Sequence, residues 1–103
     1  MRNQSHYDRT RRSAYYHCKE RLEQRYNIEL TFDLWLRMHN QYYLNKYETK
    51  VEDKRGQLIV FHLICVKFFA FFNPEYNIFM TFLDPKKGLY GTCEWKNGKI
   101  VRY

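Results

Sequence analysis

Three cysteines, four glycines and two prolines are all that this 103-residue chain holds of the residue types that most often mark a specialised scaffold or site. Cys18, Cys65 and Cys93 are odd in number, far apart and never in a CxxC pair. Three isolated thiols fit a reducing compartment better than a disulfide framework. The glycines form no phosphate-cradling loop and no nucleophile elbow, so the common nucleotide-binding and hydrolase signatures are missing. The longest apolar stretch, Leu58 to Phe72, falls short of the roughly 20 residues of a membrane helix and contains His62 and Lys67. Its β-branched and aromatic residues read as two buried strands, and no membrane partner is expected. The basic start of the chain is not followed by an apolar segment, so no secretory leader is expected and the protein is read as cytoplasmic.

Acidic residues are scarce at both ends. Residues 1–26 hold seven Lys or Arg against three acids, residues 86–103 hold five against one, and the middle is near neutral, for a net charge of +7. Basic ends point to a polyanionic partner, because Lys and Arg displace condensed counterions from a phosphate backbone. What is abundant is aromatic: ten Tyr and eight Phe contribute to a 19% aromatic content, enough to fill the core of a single β-rich domain spanning 1–103.

Hydrophobic spacing orders that domain. Ala14, Tyr15, Cys18, Leu22 and Tyr26 repeat at helical intervals and predict a helix over about 5–27, ended by Asn27. Thr31 as N-cap and Asp33 in the first turn open a second helix over about 32–46, with Leu34, Trp35, Met38 and Tyr42 on its buried face. After a polar stretch ending in Gly56, short apolar runs predict strands near 57–64, 67–73, 77–83, 89–95 and 99–103. Asn73 to Asn77 is a turn built around Pro74, and Asn97-Gly98 favours a two-residue hairpin. The join at Ile64 to Lys67 lacks turn residues, and one long bent strand is the alternative there. The fold class is α+β, two N-terminal helices packed on a four- to five-stranded antiparallel sheet.

His17, Arg21 and Arg25 recur every four residues along the first helix and form a cationic stripe beside its apolar face. Among the four histidines only His17 has such neighbours; His6 lies near the terminus, and packing or solvation is the plain expectation for His39 and His62. A histidine and two guanidiniums suffice in kind for RNA cleavage, which needs a base for the 2′-hydroxyl and cations for the phosphorane, but no metal and no cofactor. Arg neighbours lower an imidazole pKa and so keep His17 a free base at neutral pH.

The run from His17 through Arg21 and Arg25-Tyr26-Asn27 to Thr31, followed by Phe72-Asn73-Pro74 and the strand Ile78 to Leu83, resembles the small toxin-like ribonuclease domains of the barnase, EndoU, colicin E5 and RelE superfamily. The resemblance spans about Ala14 to Leu83. Asn27 stands where the family has Gly, Phe72-Asn73 where it has Tyr-Asp, and Leu89 to Tyr103 lies beyond the match. It implies a metal-independent endoribonuclease with His17, Arg21 and Thr81 as catalytic positions, RNA on the concave face of the sheet, and a neutralising antitoxin-like protein as partner. Arg25, Lys67, Lys96, Lys99 and Arg102 are the candidate RNA-binding cations, with Tyr90, Trp95 and Tyr103 as stacking or cross-strand aromatics. Lys67 also reads as a solvated strand-edge guard. Two other readings stay open: a non-catalytic basic module that binds nucleic acid or an acidic protein, as an inhibitor for instance, and a protein whose aromatics mediate self-association.

Overall fold

The computed structural model describes residues 4–85, 93–96 and 99–102, with side chains over 4–85. Two helices, α1 (Gln4–Tyr26) and α2 (Phe32–Tyr43), pack on an antiparallel sheet of β1 (Thr49–Asp53), β2 (Gly56–Leu63), β3 (Val66–Asn73) and β4 (Ile78–Phe82), in the order β1-β2-β3-β4. A separate two-stranded sheet joins β5 (Cys93–Lys96) to β6 (Lys99–Arg102), with Lys96 opposite Lys99 as a two-residue connection requires. The rest of the strands expected at 89–95 and 99–103 lies outside the described residues.

Local chemistry sets the end of α1 and both ends of α2. Asn27 takes a left-handed φ of 55° and terminates α1. Thr31 accepts the Leu34 N–H on its hydroxyl and opens α2. The expected end of α2 at 46 is three residues too late. Asn45, with φ 56°, closes a Schellman motif in which the Asn45 and Lys46 amides donate to Tyr42 and Gln41 carbonyls.

One strand was hidden. Thr49–Asp53 reads as polar linker in the sequence yet pairs with β2, Val51 opposite Leu58. An edge strand needs only alternate residues to be half-buried, and these are. The connection between β2 and β3 is a tight turn rather than one bent strand: Ile64 and Cys65 take φ 49° and 61° between the paired Leu63 and Val66. This is the backbone an Asn-Gly pair favours, held here by residues with no preference for it. Gly56 opens β2 with φ 154°, and a Cβ there would lie 2.8 Å from the Phe72 carbonyl oxygen. That approach allows only glycine.

The core lies between helices and sheet. Ala14, Cys18 and Leu22 of α1 and Leu34, Trp35 and Met38 of α2 meet Phe61, Phe68, Phe72, Phe79 and Phe82. His39 is buried among these rings. Its Nε2 accepts the backbone N–H of Phe79 at 3.2 Å, which places the proton on Nδ1, and Nδ1 donates to the Trp35 carbonyl at 2.8 Å. The imidazole thus pins α2 to β4. Burial drives its pKa down to about 4 from the usual 6.5.

A depressed pKa means that the unfolded chain takes up this proton first. The stabilisation is complete above about pH 6.5 and fades as pH falls through about 4, amounting to on the order of 3 kcal/mol. Urea unfolding midpoints are therefore expected to drop between about pH 7.5 and pH 5, while the carboxylates remain largely ionised. An unchanged midpoint would show that His39 is not held neutral.

Candidate active site

The placement of Thr81 follows from a bulge. Phe79 and Phe82 are both fully buried, three residues apart, which a strand of period two cannot achieve. Phe79 pairs with Phe72 but Thr81 pairs with Phe71, so β4 carries one extra residue, Met80, at this point. The insertion keeps both phenylalanines in the core and turns Thr81 to the opposite face. There its hydroxyl lies 3.1 Å from His17 Nε2. With Nδ1 protonated, the Thr81 hydroxyl donates to Nε2.

His17 reaches this position because α1 lies along the outer edge of β4. Arg11 donates to the Tyr76 and Asn77 carbonyls at 2.6 and 2.7 Å, the Cys18 thiol to Phe79 at 3.4 Å, and Arg25 to Phe82 at 2.7 Å. These three donors are spaced by seven residues, two turns of helix, so one face of α1 supplies donors along the strand. Tyr26 completes the seam: its hydroxyl accepts the Phe69 N–H at 3.0 Å and donates to the Leu83 carbonyl at 2.6 Å. Burial is the main cause that pushes its pKa up to about 12.

The His17–Thr81 pair opens into a cleft of about 620 Å³ between α1 and β4, whose walls include Arg9, Ser13, Ala14 and Met80. Partial burial, and then the Arg21 guanidinium, hold the His17 pKa below its ordinary value against a smaller opposing effect of Glu20. The imidazole is consequently neutral at pH 7, a base with a hydrogen-bonded hydroxyl beside it. Arg21 itself does not touch the pair. It donates to Gln24 Oε1 at 2.8 Å and lies 3.7 Å from Glu20, with about a quarter of its side chain exposed. Such exposed contacts are worth at most about 1 kcal/mol, so the guanidinium can exchange them for a stronger anion.

The remaining predicted cations lie elsewhere. Arg25 serves the Phe82 carbonyl at the end of β4. Lys67 is at the β2–β3 turn, 3.3 Å from Glu48, which also accepts from His62 at 2.9 Å; these bonds hold the Glu48 carboxyl below its usual range. Side chains of Lys96, Lys99 and Arg102 fall outside the described residues, as do Tyr90 and Tyr103 entirely and the side chain of Trp95. The face of the sheet turned away from the helices carries buried Leu58 and Leu83 with Phe69 and Phe71 against them, an apolar surface with Lys67 at one end. The His17–Thr81 pair lies instead at the α1–β4 edge.

His6 lines the far end of the same cleft, 11 residues or about 16 Å along the helix axis from His17, too far to act on the same phosphate. Arg9, Ser13 and Met80 were missed as cleft residues; Arg9 and Ser13 continue the four-residue spacing of His17 and Arg21 toward the N-terminus. Among the described residues no group of three His, Cys, Asp or Glu side chains is placed to hold a metal ion, and no helix is long and apolar enough to cross a membrane. No known protein family, curated protein or solved structure matches the chain.

Proposed function

We propose that the protein is a small endoribonuclease that cuts RNA by attack of the ribose 2′-hydroxyl, with His17 as the base. The observation that carries this reading is the neutral His17 imidazole paired with the Thr81 hydroxyl at the mouth of an open, cation-flanked cleft. RNA that enters displaces Thr81 from Nε2. His17 then takes the 2′-hydroxyl proton, O2′ bonds to phosphorus, and the bond from phosphorus to O5′ breaks. Water in the open cleft protonates the leaving oxygen, and the imidazolium returns its proton to solvent. Arg21, freed from Gln24 and Glu20, and the Thr81 hydroxyl donate to the non-bridging oxygens as charge develops on them.

No step uses a metal or a cofactor, so pure protein in EDTA is expected to cut RNA and leave 2′,3′-cyclic phosphate and 5′-hydroxyl ends. Absence of cleavage on single-stranded and structured RNA alike would remove the reading in favour of a non-catalytic basic module. A cytoplasmic enzyme of this kind endangers its own host's RNA, and a neutralising acidic protein that covers the α1–β4 edge is part of the proposal.

A further inference from the structure

The cleft extends well beyond the His17–Thr81 pair, and its lining changes character along the way. Met80 from the strand and the small Ala14 from the helix make an apolar floor. On the helix side, Arg9, Thr10, Ser13 and His17 form a polar rim. Arg9 is exposed and makes no hydrogen bond or ion pair among the described residues, unlike Arg11, Arg21 and Arg25, which are all engaged. It stands two helical turns, about 12 Å along the axis, from His17. One phosphate cannot touch both, but a neighbouring phosphate one or two nucleotides along the same strand can.

We infer that this cleft is a track for single-stranded RNA in which Arg9 holds a second phosphate, while unstacked bases lie against Met80 and Ala14. The inference rests on the reading above for the phosphate at His17 and adds the substrate's form and a second binding position. An apolar floor beside a cationic rim selects a single strand, whose bases are free to turn a flat face toward it. A duplex keeps its bases stacked and offers the cleft only its sugar-phosphate backbone.

The test separates binding from cleavage. A labelled 2′-O-methyl oligoribonucleotide cannot undergo 2′-hydroxyl attack, and its binding is followed by fluorescence anisotropy through a sodium chloride series. Arg9→Gln is expected to weaken binding of the single strand about five- to tenfold at low salt. The slope of log affinity against log salt is expected to fall by about 0.7. Arg37→Gln, which removes an exposed arginine of α2 outside the cleft, controls for net charge and is expected to leave the slope close to wild type. The same strand annealed to its complement is expected to bind more weakly and with a smaller dependence on Arg9.

Equal losses from Arg9→Gln and Arg37→Gln, or the same Arg9 dependence with duplex, would overturn the track. Arg9-dependent binding of the single strand by a protein that cuts no RNA would uphold the track and defeat the nuclease reading. Cleavage without any Arg9 dependence of binding would do the reverse.

Discussion

Alanine in place of His17 is expected to lower RNA cleavage by about 10²- to 10⁴-fold, the usual contribution of a positioned base, while the thermal midpoint stays close to wild type. The two effects separate because of where His17 sits. It is half-buried at a cleft mouth, and its hydrogen-bond partner is the Thr81 hydroxyl, so truncation forfeits one hydrogen bond worth about 1 kcal/mol and opens no core cavity. The pH profile adds a sharper reading. The acid limb of kcat/KM is expected below about pH 6.5, because burial and Arg21 both disfavour the imidazolium. Arg21→Ala is expected to move that limb upward, since one of the causes that lower the His17 pKa is removed, as well as to slow the reaction. A His17→Ala protein that cuts RNA as fast as wild type would show that the base lies elsewhere.

The largest loss of stability is expected from Phe79→Ala, about 3–5 kcal/mol. Phe79 is fully buried, and its ring centroid lies 4.7 Å from that of His39, 5.3 Å from Phe72, 5.6 Å from Phe61 and 5.7 Å from Phe82. Rings on four different elements cannot all collapse into the space one ring leaves. A loss of this size approaches the whole stability of many small domains, commonly about 5–15 kcal/mol. Phe32→Ala is the matched comparison: Phe32 is 66% exposed at the start of α2, and its removal is expected to cost under about 0.5 kcal/mol. The check is urea unfolding of both variants beside wild type. Similar small losses in the two would mean that the Phe79 site repacks.

Much of this architecture was legible in the residues because it rests on periodicity and caps. Leu22, Cys18 and Ala14 announce the buried face of α1, and Thr31 announces the start of α2. What escaped has a physical reason in each case. β1 gains its identity from pairing with β2 rather than from its own Thr-Lys-Val-Glu-Asp, which carries little β signal. The turn at Ile64-Cys65 contradicts local preference and exists because the flanking strands are already paired. The bulge at Met80 is visible only once Phe79 and Phe82 are known to share a face.

Within the site, the His17 periodicity with Thr81 was the readable part, and their 3.1 Å contact is what the fold makes of it. Long cationic side chains were not readable. Arg25 and Lys67 are of the right type for phosphate, but the nearest acceptor for each is supplied by the fold, a strand-end carbonyl for one and Glu48 for the other. Sequence names a side chain's chemistry; only packing says which acceptor it meets first.

The donors that α1 extends along β4 also decide how copies of this protein can meet. An outermost strand with idle carbonyls is a template on which another chain can add a strand, and repeated addition leads to fibres. Here Arg11, Cys18 and Arg25 occupy acceptors that an incoming strand would need, and the helix stands where that strand would lie. The same helix that carries His17 therefore closes this margin of the sheet to polymerisation, so loosening α1 to reshape the cleft would also unguard the edge.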